Sequence, residues 1–509
     1  MSNKLKKATV YLFGIRFLGS IISFFSLPIT VKYFGISVER DIWLIVSVFT
    51  TSLSSAVFAP INETLRTRFI FIRETYGADE ALKRIQSLLI FFLLIGLFFG
   101  FLSVLFASQI KSFLAPSITS ENDFKIFLYL LLSTLPCFII NQLIVTFVAI
   151  LNTYEIYYIP EFIGCISGII NIICIILFAS SIGIYSLVIS QYISIIIYLS
   201  ILFFFMTRKN IRIFNIHNNF KIAYIKDFLI FSLPFFVLNI SQLFNSITEK
   251  KLMNRIGTGV VSTIDYASKF PSVVQTVVFS VLISVVLPSL SSYFLMKKYD
   301  DFWHSFKNSI QIISGITIIF VSFLCGAAEP LCRFFFLRGN IDEQTVNIII
   351  NLLRLYSFAI IFASLYWLLG YSLLSQQNGI KYAIIGTITQ ITVIILNIIF
   401  YKTFLIYTFV LSFYFAHLLS IIVMSIILLG KNIFFITDIF KSIFLSFLIS
   451  FVLYILNSNF ALKSDFFQLL LNGFLLCFLS AICLRFIGIN VIEIVKKYLK
   501  NHGFGKELV

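Results

Sequence analysis

Runs of about 20 apolar residues, separated by short polar breaks, recur along the whole chain, and each is long enough for an α-helix to cross a hydrocarbon layer of about 30 Å. The pattern predicts about fourteen helices, near residues 8–33, 42–65, 86–109, 125–150, 156–179, 183–206, 226–248, 259–294, 307–328, 345–373, 380–401, 404–430, 437–456 and 466–487. Run 259–294 is longer than one crossing needs, so Pro271 and Pro288 are expected to mark bends or an end that projects beyond the bilayer. Short alternating strands of the kind that build membrane barrels do not account for runs of this length. The expected fold class is therefore all-α, a polytopic membrane protein.

An internal repeat divides these helices. The segment IGCISGIINIICIILF from Ile163 aligns with IGTITQITVIILNIIF from Ile385, an offset of 222. The same offset places Tyr33-Phe34-Gly35 on Arg255-Ile256-Gly257, each ending a helix and each followed shortly by an acid, Asp41 or Asp265. Ala59-Pro60 corresponds to Leu287-Pro288 at offset 228. Three correspondences in order imply a duplicated six-helix unit, whose even count gives both copies one orientation. The expected organisation is an N-lobe over 1–206, a basic linker over 207–226 along the cytoplasmic surface, a C-lobe over 227–430, and two added helices with a cytoplasmic tail over 431–509.

Composition strengthens the membrane assignment. Of the 509 residues, 59% are hydrophobic and only 12% charged, with a mean hydropathy of +1.01. A soluble chain carries about 25% charged residues. The net charge of +16 would suit a nucleic acid, yet the cations cluster at span ends and no hydrophilic domain exists to form a nucleic-acid groove. With an even number of spans both termini share one side; that side carries 24 Lys and Arg, against 11 opposite and three (Arg16, Lys269, Arg354) within spans. The inside-positive bias puts both termini in the cytoplasm. Its strongest contributors are Lys4, Lys6 and Lys7, the 66–84 connection, the 207–226 connection, and Lys496, Lys497, Lys500 and Lys506 in the tail. These cations are read as topology determinants near anionic lipid.

Several chemistries find no support. Seven cysteines and four histidines are scattered without metal-ligand or CxxC spacing, so no metal and no cofactor is expected. No GxxxxGK[ST] loop marks a nucleotide-driven pump, which leaves an ion gradient or membrane potential as the energy source.

Two intramembrane cations stand out. Arg16 lies eight residues into its predicted helix and Lys269 ten into its own, about 12 to 15 Å from the nearer ends. A charge kept at such depth usually faces a cavity and something it binds, and two cations point to an anion. Lys offers phosphate a compact charge, whereas Arg can grip two oxygens at once. The competing structural reading pairs each with a buried carboxylate or backbone carbonyls and makes it fix helix packing; the acids at that depth are Glu161, near the start of its helix, and Asp265, one turn before Lys269. Pro271, two residues past Lys269, removes a backbone donor, and a bend there would serve gating or only shape the helix. Arg354 is read as structural, and the segment from Glu329 to Asn340 as an amphipathic anchor at the outer interface.

The segments IRFLG (15–19), VKYFGISVERD (31–41), VFAPI (57–61), DYASKFPSVVQTVVFSVLISVVLPSLS (265–291) and EPLCRFFFLRG (329–339) together resemble the MurJ/MviN-type lipid II flippases of the multidrug/oligosaccharidyl-lipid/polysaccharide exporter superfamily. The resemblance implies fourteen helices in two lobes around a cationic cavity in a bacterial cytoplasmic membrane. It also implies transfer of an undecaprenyl-pyrophosphate-linked saccharide from the inner to the outer leaflet. Arg16 matches one cavity arginine of that family, Lys269 stands where another is expected, and Asp41 matches an acidic position tied to gating or coupling. Two further arginine positions are Ile22 and Ser54 here, which leaves a capsule, O-antigen or exopolysaccharide repeat unit as the alternative cargo. A polyprenyl-dependent glycosyltransferase or polymerase fits less well, because no acid/base cluster or large outer loop is present. A drug exporter of the same superfamily would place acids, not cations, in the cavity. The chain is thus expected to be no enzyme, with a lipid-linked diphosphate saccharide and membrane lipid as its partners.

Overall fold

The computed structural model describes residues 3–154, 156–209, 211, 220–282, 286–337, 341–429, 436–460 and 464–486. In order the helices are α1 (Asn3–Phe34), α2 (Val38–Tyr76), α3 (Ala78–Leu105), α4 (Ala107–Leu114), α5 (Glu121–Thr153), α6 (Tyr158–Ile182), α7 (Tyr185–Arg208), α8 (Ile222–Ile256) and α9 (Val260–Val281). They continue with α10 (Leu287–Leu295), α11 (Tyr299–Gly326), α12 (Ala328–Phe336), α13 (Glu343–Ser375), α14 (Gly379–Phe400), α15 (Thr408–Leu429), α16 (Ile436–Asn459) and α17 (Asp465–Phe486). No strand occurs among the described residues. Hydrocarbon offers the backbone no hydrogen-bond partner, so each crossing segment must satisfy its own amides, and a helix does so within itself.

Twelve of these helices are long and apolar enough to cross a membrane, and thirteen if the bent α8 counts as one crossing. The fourteenth expected span, 259–294, is α9 and α10 flanking residues 283–285, which lie outside the described residues. Helix α8 bends by 76° between Ile230 and Phe235. Pro234 falls in that break, and it lacks the N–H that would reach back one turn. The expected 66–84 connection is instead almost wholly helical, because α2 runs on to Tyr76 and α3 starts at Ala78. Arg66, Arg68 and Arg73 on this extension stack over Tyr157, Phe71 and Tyr154 at 5.2, 5.1 and 5.3 Å. Residues 210 and 212–219 of the basic linker, and the lysines of the tail, lie outside the described residues, whereas Arg208 and Lys209 end α7 and Lys221 and Lys226 stand at the start of α8.

By packing, the chain divides into two compact units, residues 1–264 with 386–412, and residues 265–385 with 413–509. In the first, Phe58 of α2 packs against Phe92 of α3 and Phe138 of α5, with ring centroids 5.1 and 4.8 Å apart. One turn along, Asn62 and Gln142 exchange amide hydrogen bonds of 3.0 and 2.8 Å, so neither polar group is left unmet in the seam. Helix α8 lies along α2 in this unit, although the repeat assigns it to the start of the second copy.

In the second unit, α11 packs along both α13 and α16. Its last residue, Gly326, sits so close to α16 that an added Cβ would stand 2.7 Å from Leu453 Cβ and 3.1 Å from the Ser450 carbonyl oxygen. Asn457 donates to the Gly326 carbonyl at 3.0 Å and accepts from Gln468 and Asn472 of α17 at 2.6 and 2.9 Å. Helix α12 turns Leu331, Cys332 and Phe336 inward, while Arg333 pairs with Glu329 and Glu343 at 3.2 and 3.6 Å. The expected anchor is thus amphipathic, with its Phe336 ring on Tyr266 and Phe270; Arg338 and Asn340 lie outside the described residues.

Neither Leu453 Cβ nor a backbone oxygen can swing away from a new methyl group. Gly326→Ala should therefore destabilise by about 1–3 kcal/mol, the usual cost of overpacking. Thermal unfolding in detergent checks this, with Gly14→Ala, where nothing lies within 4 Å of an added Cβ, as the neutral control.

Candidate functional site

Arg16 projects from α1 toward the first turn of α6. Its Nε and Nη2 both donate to a single oxygen of Glu161, Oε1, at 2.9 and 2.7 Å. Both side chains are only part-covered, 41% exposed for Arg16 and 35% for Glu161. Small residues bring the two helices together: Gly19 faces Cys165, and Gly168 faces Ile22. The Cys165 thiol also donates to the Ile15 carbonyl at 3.4 Å. Of the two carboxylate pairings raised by the sequence, the one at Arg16 forms.

The one at Lys269 does not. Among the described residues, no carboxylate lies within ion-pair distance of its Nζ and nothing accepts a hydrogen bond from it. Lys269 is half-buried on α9, and Pro271 is buried within a helix that continues through it. The missing N–H at Pro271 leaves one rung of the ladder unmade, and on either side Ser268 and Ser272 donate to the Asp265 and Lys269 carbonyls at 3.2 and 2.7 Å. Arg16 and Lys269 belong to different packing units.

Asp41 lies in the first turn of α2, whose N-cap Ser37 accepts from the Arg40 amide. The Asp41 carboxylate is 2% exposed and accepts from the Gly259 amide at 2.6 Å, the Ser262 amide at 2.8 Å and the Ser262 hydroxyl. These donors form the N-terminal turn of α9, so Asp41 caps that helix from more than 200 residues away in sequence. Gly259 is part of the arrangement: its φ is +82°, and a Cβ there would meet Ile36 at 2.6 Å.

One ionisable residue escaped the sequence reading. Glu249 of α8 lies beside the amide of Asn397, which is fully buried, and both amide atoms of Asn397 lack a direct hydrogen-bond partner. One turn earlier, Asn245 donates to Gln390 at 2.9 Å. The predicted span 226–248 ends one residue short of Glu249, whereas α8 runs on to Ile256; extending the span by one turn would have exposed it as a membrane-depth carboxyl. Among the described residues no three His, Cys, Asp or Glu side chains group as metal ligands.

A family model described as lipid II flippase MurJ matches residues 30–480. The chain belongs to that family. Membership places it among membrane transporters and not among enzymes. A probable lipid II flippase MurJ of Treponema pallidum (strain Nichols) is 24% identical over 156 residues, which span 31% of this chain and 30% of that relative. The fold is similar to a lipid II flippase MurJ in an inward closed conformation, with a TM-score of 0.74, 24% identity, and coverage of 94% of this chain and 100% of that one. A multidrug MATE transporter solved inward-facing aligns at TM-score 0.64 and 14% identity, covering 83% of this chain and 99% of that one. One solved outward-facing aligns at 0.61 and 15%, covering 86% and 97%.

Replacing Asp41 leaves three donors of the α9 N-terminus without their charged acceptor. Asp41→Ala should cost about 2–4 kcal/mol, more than the lone hydroxyl lost in Ser262→Ala, because hydrogen bonds to a charged group are worth about 1.5–3 kcal/mol each. Comparing the thermal unfolding of both variants checks the order.

Proposed function

We propose that the chain carries an undecaprenyl-diphosphate-linked saccharide from the inner to the outer leaflet of a bacterial cytoplasmic membrane by alternating access, with both termini in the cytoplasm. Family membership supports the task, and similarity to transporters solved in inward-facing and outward-facing forms supports alternation. The observation that carries the reading is Arg16, a part-exposed guanidinium deep along its helix that is paired with the part-exposed carboxylate of Glu161. A diphosphate offers the same guanidinium several oxygens and more than one negative charge, and its own burial without cations is prohibitive. Lys269, with no carboxylate of its own among the described residues, supplies the second charge. Asp41 and Pro271, at the start and middle of α9, are the positions through which that helix takes part in gating.

Transfer of a labelled undecaprenyl-diphosphate saccharide between leaflets of reconstituted vesicles tests this. Arg16→Ala and Lys269→Ala should each slow transfer at least tenfold, on the order of 1.4 kcal/mol of lost interaction with the diphosphate. Undiminished transfer in the double variant removes both residues from the site.

Glu161 enters the same reading as the counter-ion that the diphosphate must displace from Arg16. In a hydrated cavity such a half-exposed pair is worth about 0.2–1 kcal/mol, small enough to exchange. Glu161→Gln should thus tighten binding of an undecaprenyl diphosphate about two- to fivefold, and direct binding to the reconstituted protein measures it. Weaker binding in this variant would make Glu161 a positioning residue instead.

A second cargo is supported by Ile22 and Ser54, which stand where the family resemblance expects further arginines. Ile22 packs against Gly168 in the seam between α1 and α6. A lighter cationic grip suits a polysaccharide repeat unit as readily as lipid II. Restoring growth to a bacterium depleted of its own lipid II flippase favours the first cargo, and restoring only polysaccharide export favours the second.

A further inference from the structure

Arg354 lies on α13 about 16 Å from that helix's first residue, within a candidate membrane span. Its residue type and position alone offered least reason to single it out, and among the described residues it has no counter-ion. Among the described residues no carboxylate or carbonyl receives a hydrogen bond from its guanidinium, and its one close partner is the ring of Tyr454, 5.0 Å away on α16. The carboxylates nearest this end of α13 are already engaged: Glu329 and Glu343 hold Arg333, and Asp342 caps Thr345. Burial pushes the Cys332 thiol up, so it stays neutral and offers no charge.

The surroundings are open on one side. Arg354 is half-buried and none of its nitrogens is sealed off, while Tyr454 is 45% exposed. Helix α11 packs along both α13 and α16, and Arg354 of α13 meets Tyr454 of α16. Apolar Ile348, Phe451 and Ile455 are exposed on the same two helices. A guanidinium stacked on an aromatic face still presents its N–H edge, and that edge matches two oxygens of a phosphate. Hydrocarbon does not tolerate a charge that nothing answers. A cation on helices that also expose apolar side chains is matched by a phosphate head with hydrocarbon tails.

We infer that Arg354 and Tyr454 form a site for the phosphate group of a membrane lipid. The site belongs wholly to the unit containing α11, α13 and α16 and stands independently of the transport reading. Phosphatidylglycerol and a polyprenyl diphosphate carry the same recognition chemistry, and the test separates them. Full-length protein in a phosphate-free maltoside detergent is titrated with phosphatidylglycerol, with undecaprenyl diphosphate, or with a phosphate-free diglucosyl diacylglycerol, and bound copies are counted by native mass spectrometry. The wild type should retain one more copy of a phosphate lipid than Arg354→Gln, with at least fivefold weaker retention in the variant and no preference for the glycolipid. The lipid for which that copy is lost is the natural class of occupant. Equal retention by wild type and Arg354→Gln, or equal retention of the glycolipid, overturns the inference. If Arg354→Gln does not fold, Tyr454→Leu, which keeps the charge and changes an exposed ring, should weaken retention at least twofold. Unchanged retention in that variant overturns it equally.

Discussion

A polar group inside hydrocarbon has no water to fall back on, and almost every feature of this chain answers that constraint. The backbone answers it by being helical throughout the described spans. Side chains answer it by pairing: Asn62 with Gln142, Asn457 with Gly326, Gln468 and Asn472, and serines and threonines with the carbonyl one turn back, as Ser364 does with Ile360. Where the constraint is met so widely, the places where it is not met gain meaning. Lys269 and Arg354 are two such places, and the Asn397 amide is a third.

The charged residues divide by how fully they are answered. Asp41 is enclosed and takes three hydrogen bonds, which is the behaviour of a structural cap whose loss disturbs the start of α9. Arg16 is paired with a carboxylate that is itself part-exposed, and such a contact contributes little. A fully buried pair would cost several kcal/mol to break and would be a poor place for a passing ligand. The difference in enclosure, more than residue type, separates a helix cap from a candidate ligand contact. Helix α9 is held at its first turn by Asp41, while its middle lacks one backbone hydrogen bond at Pro271.

The seam between α1 and α6 shows how one sequence departure propagates. Gly19 and Gly168 let the helices approach, and Ile22 occupies the space that Gly168 leaves. An apolar residue that packs into a seam contributes contact and excludes water, whereas an arginine at the same position must extend toward something charged. In this seam the charged contact is the one between Arg16 and Glu161.

Periodic apolar runs sufficed to determine from the sequence that this is an all-helical, multi-pass membrane protein, because about 20 apolar residues in succession have no other low-energy place to go. The short motifs around Arg16, Asp41 and Lys269 identified the family for the same reason: charges retained at membrane depth are rare enough to be informative. Span ends were less legible, since helices such as α2 and α8 continue past the apolar stretch, and that is how Glu249 was missed. Partners were not legible at all. Glu161 and Asp265 were equal candidates on paper, and only the folded chain shows that the first reaches its cation while the second does not, because distance along a chain says nothing of which faces of two helices meet. The cap that Asp41 places on α9, across more than 200 residues, and the lone guanidinium of Arg354 beside Tyr454 are likewise facts of packing, decided by which helices lie side by side.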